Sequence, residues 1–509
     1  MGFVATMAAA GGFIALSYEI YLFRTISFAS GSSSLAFAIT LGSFLIGVAV
    51  GARRAGQICA TRSAREAIAH AAMDLVWANG FAAAFLPLMT QLASNVLALM
   101  FNAVIMTYLI ARQWGALLPY LSQFGIAADA RAGQQTALLY FSNIIGCASG
   151  AVLTGFVLTD HLGLKQIAVL LLIAGTLCAM VLAFSYPAAL RERLRFGAIA
   201  GTVLVLGIAA NALFAQRLLE NLQSKSAANQ DFVQVVENHS GIITVDTEGT
   251  VSGNGMYDGC FNTDLKHDRN VIVRPYALSL FHGAPRDVLM IGLASGSWAQ
   301  VIANNPDVAS LTIVEINRGY LQIIAAQDEV KSILANPKVR IIEDDGRRWL
   351  GHHPEARFDA VVSNTTWHFR ANTTNLLSSE FLAMVKQHLN KGGIYFYNTT
   401  NSRRAQRTAC AAFAHGARFL NHMVVSESPI DWNYGRWRKT LERYSIDGKS
   451  KFAGGSEADR AVLDTLMSDY RKDGPMVEEC PQLLAATKGN TPITDDNMGT
   501  EWRYFLDLE

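Results

Sequence analysis

The chain has 509 residues, more than one ordinary core needs, with charged residues at only 16% and a formal net charge of +1 at pH 7. Such a balance supplies no basic stripe of Lys and Arg, so no nucleic acid is expected as a partner. Six cysteines (Cys59, Cys147, Cys178, Cys260, Cys410 and Cys480) never approach a C-x-x-C spacing, which predicts neither a disulfide framework nor a zinc site, and no metal.

A helix crossing about 30 Å of hydrocarbon needs roughly 20 apolar residues. Stretches at 3–23, 34–52, 72–92, 95–118, 135–158, 166–186 and 196–214 meet that length and predict a bundle of about seven spans over residues 1–215, with the lipid bilayer as partner. A single signal peptide does not explain them, so the first segment is read as retained. Gly47-x-x-x-Gly51 and Gly146-x-x-x-Gly150 each place two glycines on one helix face, a pattern that permits close backbone approach but is also common background in membrane helices. Glu19 and Arg112 are expected to line an internal polar site, because an ionised group in hydrocarbon needs a partner or water; Arg24 and Asp74 are assigned to helix ends. Arg53, Arg54, Arg62 and Arg65 form one basic cluster, and Arg191, Arg193 and Arg195 form another four spans later. The positive-inside rule puts both in the cytoplasm and, with seven spans, the remainder of the chain outside.

Polar residues rise after Gln216, and Gln223-Ser-Lys-Ser-Ala-Ala-Asn-Gln230 marks a linker spanning 216–231. Short apolar runs separated by Glu248-Gly249 and Asn254-Gly255 predict a β-hairpin subdomain over 232–285. From 286 to 509 strands alternate with helices. The strands expected are Val288–Ile291, Leu311–Ile316, Val339–Ile342, Ala360–Ser363, Ile394–Tyr397 and His422–Ser426, with helices near 297–304, 318–335, 346–351, 378–390 and 403–415. This alternation predicts a mostly parallel sheet covered on both faces, with ligands bound at the carboxyl ends of its strands.

The first strand end carries Ile291-Gly292-Leu293-Ala294-Ser295-Gly296-Ser297, whose small residues allow a ligand close to the backbone at a helix start. About twenty residues on, the second strand ends in Val314-Glu315-Ile316-Asn317, the spacing at which a carboxylate grips the two hydroxyls of a ribose. The third ends in Ile342-Glu343-Asp344-Asp345-Gly346, where Asp345 is expected at an adenine amino group and Asp344 at the cap of the next helix. Neither Lys nor Arg enters the glycine turn, and no G-x-x-x-x-G-K-[ST] occurs, so the ligand is read as a nucleoside rather than a phosphate.

This order of glycine turn, Glu315, Asp345-Gly346 and a fourth strand ending Phe358-Asp359-Ala360-Val361-Val362-Ser363-Asn364, behind a hairpin subdomain, resembles the spermidine/spermine synthase family over roughly residues 232–425. The membrane half is similar to the multi-span region fused to such domains in some bacterial proteins. The resemblance implies a Rossmann-like α/β domain of the class I methyltransferase type, a role in polyamine biosynthesis, and a bacterial inner membrane location. It also implies decarboxylated S-adenosylmethionine or S-adenosylmethionine as co-substrate, held by Gly292, Ser295, Gly296, Glu315, Asp344, Asp345 and Asn364. A cytosolic donor of this kind argues for a cytoplasmic α/β domain, against the charge rule.

The departures bear on catalysis. Family members carry an Asp in the glycine turn where this chain has Ser295, and two acids in a D-x-x-D stretch where it has Asn364-Thr365-Thr366-Trp367. An attacking amine must lose a proton to a base, and an amide cannot accept it at neutral pH. His368, Asp258 and Asp431 are the candidate substitutes, with Asn364 as an orienting group. Trp367, Trp432 and Tyr434 are candidates to cage a cation. Three functions follow: a transferase with a non-standard, unidentified acceptor; an enzyme that cleaves or cyclises the sulfonium, or transfers its methyl group; and a non-catalytic nucleoside sensor coupled to the bundle. A homo-oligomer is compatible with all three.

Overall fold

The structure, a computed structural model, describes residues 1–498 except 187, 224–230, 365, 366, 369, 372 and 453–455, with the backbone alone at 96. The expected linker therefore lies, from 224 to 230, outside the described residues. The chain divides into two compact units, Met1–Asp231 with Glu237–Ile242, and Phe232–Val236 with Ile243–Glu509.

The first unit is built of α1 (Gly2–Ala29), α2 (Ser34–Thr61), α3 (Ala64–Leu92), α4 (Val96–Gly115), α5 (Leu117–Gly125), α6 (Ala132–Val152), α7 (Leu164–Phe184) and α8 (Leu190–Phe214). With Leu97–Gly125 and Ala132–His161 each counted as one segment, seven helices are long and apolar enough to cross a membrane. Their starts are set locally. Ser63 and Glu66 make reciprocal capping bonds at α3, and the Asn95 side chain accepts from the Ala98 N–H at α4. Leu45, Ile46, Phe141, Ile144, Leu177 and Leu206 stand exposed on these helices, far more apolar surface than a water-facing bundle presents.

Both glycine pairs lie at close helix crossings. A Cβ on Gly51 would strike the Arg112 carbonyl and one on Gly47 would come within 2.8 Å of Ala111, so the pair admits α4 to α2. Gly146 and Gly150 likewise face the carbonyls of Ala9 and Phe13 on α1. They are packing positions rather than background composition.

The buried polar cluster differs from the one expected. Glu19 and Arg112 are only half-buried and do not pair with each other. Asp74, 3% exposed within α3 and not at its end, accepts from Arg54 at 3.1 Å and from the Tyr120 hydroxyl at 3.3 Å, while Arg54 also reaches Gln113 at 3.2 Å. A charge's position along one helix does not reveal which helix adjoins it, and that decides which ions meet.

After the helices, β1 (Phe232–Asn238), β2 (Gly241–Asp246), β3 (Thr250–Gly253) and β4 (Met256–Cys260) form a four-stranded sheet in that order. The larger sheet holds β5 (Asp287–Ile291), β6 (Ser310–Glu315), β7 (Val339–Glu343), β8 (Phe358–Ser363), β9 (Leu389–Asn398), β10 (His415–Phe419), β11 (His422–Ser426) and, after the small hairpin of β12 (Ser445–Ile446) and β13 (Lys449–Ser450), β14 (Val477–Glu479). Its order is β14-β10-β11-β9-β8-β5-β6-β7. The five strands from β9 to β7 run parallel, and β11, β10 and β14 are added antiparallel. All six strands expected from sequence are present. Missing from the expectation were β10, which takes over the end of the helix placed at 403–415, and the three-residue β14. The helices include α9 (Ser297–Ala303), α10 (Gly319–Ala325), α11 (Gly346–His352), α12 (Ser379–Gln387), α13 (Arg403–Ala412), α14 (Tyr434–Glu442), α15 (Glu457–Asp469) and α16 (Cys480–Ala486). Along β5, Val288 and Met290 enter one apolar core and Leu289 and Ile291 the other, the period of two that a sheet buried on both faces requires.

The cysteines correct a further expectation. Cys410 on α13 and Cys480 at the start of α16 form a disulfide, with Cα atoms 5.3 Å apart across a separation of 70 residues. Pairing of β10 with β14 brings the two helices together, and no spacing rule reports a contact of that range.

Candidate functional site

The glycine turn joins β5 to α9 through left-handed backbone at Gly292 (φ 86°), Ala294 (φ 51°) and Gly296 (φ 77°). Two of those positions are glycine, for which such angles carry no Cβ penalty. Glu315, at the carboxyl end of the neighbouring β6, is 5% exposed and ties the turn to its own strand. Its Oε2 accepts the Leu293 N–H at 2.5 Å and its Oε1 the Asn317 N–H at 2.8 Å. Burial pushes its carboxyl up to about 7, against the pull of those two backbone hydrogen bonds. This carboxylate is thus poised to change charge near neutrality.

At the end of β7 the capping role falls to Asp345 rather than to Asp344. Asp345 is the N-cap of α11, accepting the Arg348 N–H at 2.8 Å, whereas Asp344 accepts from the Arg348 side chain at 2.6 Å. Capping geometry depends on where the helix begins, and α11 begins at Gly346, one residue after Asp345.

Asp258, Ser295, Asn364 and Trp367 line one cavity of ≈ 210 Å³, together with Leu293 and Ala294 of the turn, Tyr257, Met290 and Trp298. Glu315, Asp344, Asp345 and His368 lie outside its wall, as do Gly292 and Gly296. Thr365 and Thr366 fall outside the described residues. The Ser295 hydroxyl is 3.2 Å from that of Ser297, which in turn donates to the Cys260 carbonyl at 2.8 Å and so fastens β4 to the turn.

Asp258 is not a free base. Its side chain is 1% exposed, paired with Arg370 at 2.8 Å, and its other oxygen accepts from the buried Tyr320 hydroxyl. Arg370 also donates to the Gly253 carbonyl at 3.0 Å. His368 is buried, with its carbonyl accepting from the Thr374 hydroxyl at 3.2 Å. Asp431, Trp432 and Tyr434 have other partners. Asp431 pairs with Arg436 at 2.6 Å, Trp432 packs on Phe281 at 5.1 Å between ring centres, and the Tyr434 hydroxyl donates to the Tyr470 carbonyl at 3.1 Å. Only Trp367 of the three cage candidates reaches the cavity, edge-on to Tyr257.

Several wall residues, and His422 behind them, escaped the sequence reading. Asn364 Oδ1 meets the His422 ring at 3.2 Å, and the other ring nitrogen meets Asn421 Oδ1 at 2.9 Å. His422 stacks on Trp298 at 5.2 Å, and burial, with the nearby Arg274 charge, holds it well below the ordinary imidazole range. Arg269, Asn270, Arg274, Asn398 and Asn421 complete the polar lining. They come from chain segments more than a hundred residues apart, and none stands in a motif.

No family model matches the chain. It is 27% identical over 201 residues to polyamine aminopropyltransferase 1 of Pseudomonas aeruginosa, a match covering 38% of this chain and 65% of the relative. Similar matches are the polyamine aminopropyltransferases of Escherichia fergusonii, 28% identical over 31% of this chain and 54% of the relative, and of Aeropyrum pernix, 24% identical over 23% and 38%. The match thus spans less than two thirds of each of these relatives. Among solved structures, spermidine synthase from Thermotoga maritima aligns over 46% of this chain and 86% of its own at 12% identity and a TM-score of 0.35.

Proposed function

We propose that this chain, a member of the spermidine-synthase-like family, is a membrane-integrated transferase that uses an adenosylsulfonium donor, decarboxylated S-adenosylmethionine or S-adenosylmethionine, with an acceptor other than a diamine dication. The observation that carries the reading is Glu315, buried at the end of β6 and bonded to the glycine turn of β5, where a ribose diol would meet it. Gly292 and Gly296 shape that turn, Asp344 and Asp345 stand at the adjoining strand end, and Ser295 and Asn364 lie on the cavity wall toward the reacting group. In the transfer an acceptor lone pair attacks a carbon bonded to the sulfonium sulfur. The C–S bond breaks, its electrons pass to sulfur, and a neutral thioether nucleoside leaves. An amine acceptor also releases a proton, for which the described wall offers no unpaired carboxylate.

That feature supports an acceptor that is less cationic, and it favours a second reading in which the sulfonium is cleaved or cyclised, or gives up its methyl group, with no diamine site required. Titrating the purified protein with methylthioadenosine, S-adenosylmethionine and its decarboxylated form, followed by product analysis, tests both. Binding with alkyl transfer supports the first, and a sulfonium-derived product without acceptor supports the second. Binding without product leaves a sensor. Rapid conversion of putrescine to spermidine would contradict the account of the acceptor pocket.

Membrane integration is supported by the seven apolar helices and their exposed apolar faces. The side of the membrane is supported by two independent features. Arg191, Arg193 and Arg195 stand at the start of the last candidate span, so a cytoplasmic position for them puts the α/β unit outside. The Cys410–Cys480 disulfide belongs to an oxidising compartment. We therefore propose that the α/β unit lies outside the cytoplasm, whereas donor supply alone argues for the cytoplasm. The donor then has to be delivered to that side.

A further inference from the structure

The cavity beside the glycine turn contains a buried cation that forms no ion pair among the described residues, Asp268 acting on it only at longer range. Arg274 lies on the short helix Val273–Tyr276 and is 8% exposed. Its hydrogen bonds go to neutral oxygens: Nε to the Val271 carbonyl at 2.9 Å, one terminal nitrogen to the Asn270 carbonyl at 2.7 Å, and the other to Asn421 Oδ1 at 2.9 Å. The guanidinium also sits over the Trp298 ring, 5.5 Å from its centre. Among the described residues, no carboxylate forms an ion pair with it. Burial lowers it to about 10, so it remains charged at neutral pH.

A guanidinium has five N–H donors in a planar fork, and these contacts leave the fork incompletely used. The rest of the wall does not compensate it. The carboxylate of Asp258 is already neutralised by Arg370, and Arg269 adds a second cation whose N–H groups reach, among the described residues, the Glu248 and Phe261 carbonyls, both at 3.3 Å. Asn270, Asn364, Asn398 and Asn421 are uncharged. A charge removed from water without a partner is costly, and a ligand that brings the opposite charge removes that cost.

We propose that Arg274 binds a carboxylate carried by the sulfonium co-substrate, so that the donor is S-adenosylmethionine with its carboxylate in place rather than the decarboxylated form. This rests on the nucleoside reading of the Glu315 site. Leu293, Ala294 and Ser295 of the glycine turn share the cavity wall with Arg274, so a nucleoside held at that turn and the guanidinium would meet in one cavity. The decarboxylated donor carries two positive charges, sulfonium and ammonium, and meets an uncompensated guanidinium. S-adenosylmethionine brings the anion that the guanidinium lacks.

The test is equilibrium titration of the full chain in detergent, wild type and Arg274→Gln, with methylthioadenosine, S-adenosylmethionine and decarboxylated S-adenosylmethionine. The wild type is expected to bind S-adenosylmethionine at least about tenfold more tightly than the decarboxylated form, and the variant to lose that preference while keeping its affinity for methylthioadenosine. Equal or tighter binding of the decarboxylated form by the wild type overturns the proposal, and so does a preference that survives in Arg274→Gln. Equal donor affinities together with Arg274-dependent binding of a carboxylate acceptor would assign the anion to the acceptor and overturn it as well. If methylthioadenosine itself fails to bind the wild type, the nucleoside reading falls first, an outcome distinct from a lost preference. Should the glutamine variant not fold, the wild-type ratio decides alone.

Discussion

Glu315 concentrates the chemistry of the account in one titration. Its carboxyl is raised to about 7 by burial, so in the free protein it takes up a proton as pH falls through that value. A ribose diol donates to the ionised form, so nucleoside affinity should be full above about pH 8 and fall roughly tenfold per unit well below pH 7. Calorimetric affinities for methylthioadenosine between pH 5.5 and 8.5 check this, and a flat profile would exclude a titrating Glu315 at the ribose. Asp258 gives the opposite kind of prediction. Asp258→Asn strands the buried Arg370, a loss of about 3–5 kcal/mol, so the thermal midpoint should drop markedly. A variant with an unchanged midpoint and no turnover would instead restore Asp258 as a base. The glycine turn and Glu315 were legible in sequence because the spacing is local and the strand ends align. The neutralisation of Asp258 was not, since Tyr320 and Arg370 lie 62 and 112 residues away.

At the scale of elements, hydrophobic periodicity located every parallel strand and all seven apolar helices, since both signals are carried within single segments. Contacts between segments were not readable. The Gly47 and Gly51 pair shows this most clearly, as its motif occurs in many helices and only the neighbour reveals its use. Gly51→Val should push α4 from α2, because the blocking atom is the Arg112 backbone carbonyl and backbone cannot swing aside. A cost of about 1–3 kcal/mol is expected, read as a lower unfolding temperature in detergent. Gly42→Ala, where nothing lies within 4 Å, is the control that should leave it unchanged. The edge strands β10 and β14 illustrate the same limit in the sheet, being short and defined by their partners rather than by their own pattern.

For the whole molecule, the charge clusters and the disulfide make one topological prediction. A compartment-sensitive reporter fused after Glu509 should be active outside the cytoplasm, and Cys410 and Cys480 should resist thiol labelling until reductant is added. Cytoplasmic reporter activity with freely labelled cysteines would return the α/β unit to the cytoplasm. On either side, the central claim is that this unit holds an adenosine through Glu315. Its most direct test is calorimetric titration of methylthioadenosine into the purified full chain and its Glu315→Ala variant at pH 8. The account predicts saturable binding by the wild type and a loss of about 1.5–3 kcal/mol in the variant, roughly 10- to 150-fold. Equal affinity in the two proteins, or no binding by the wild type, would contradict it.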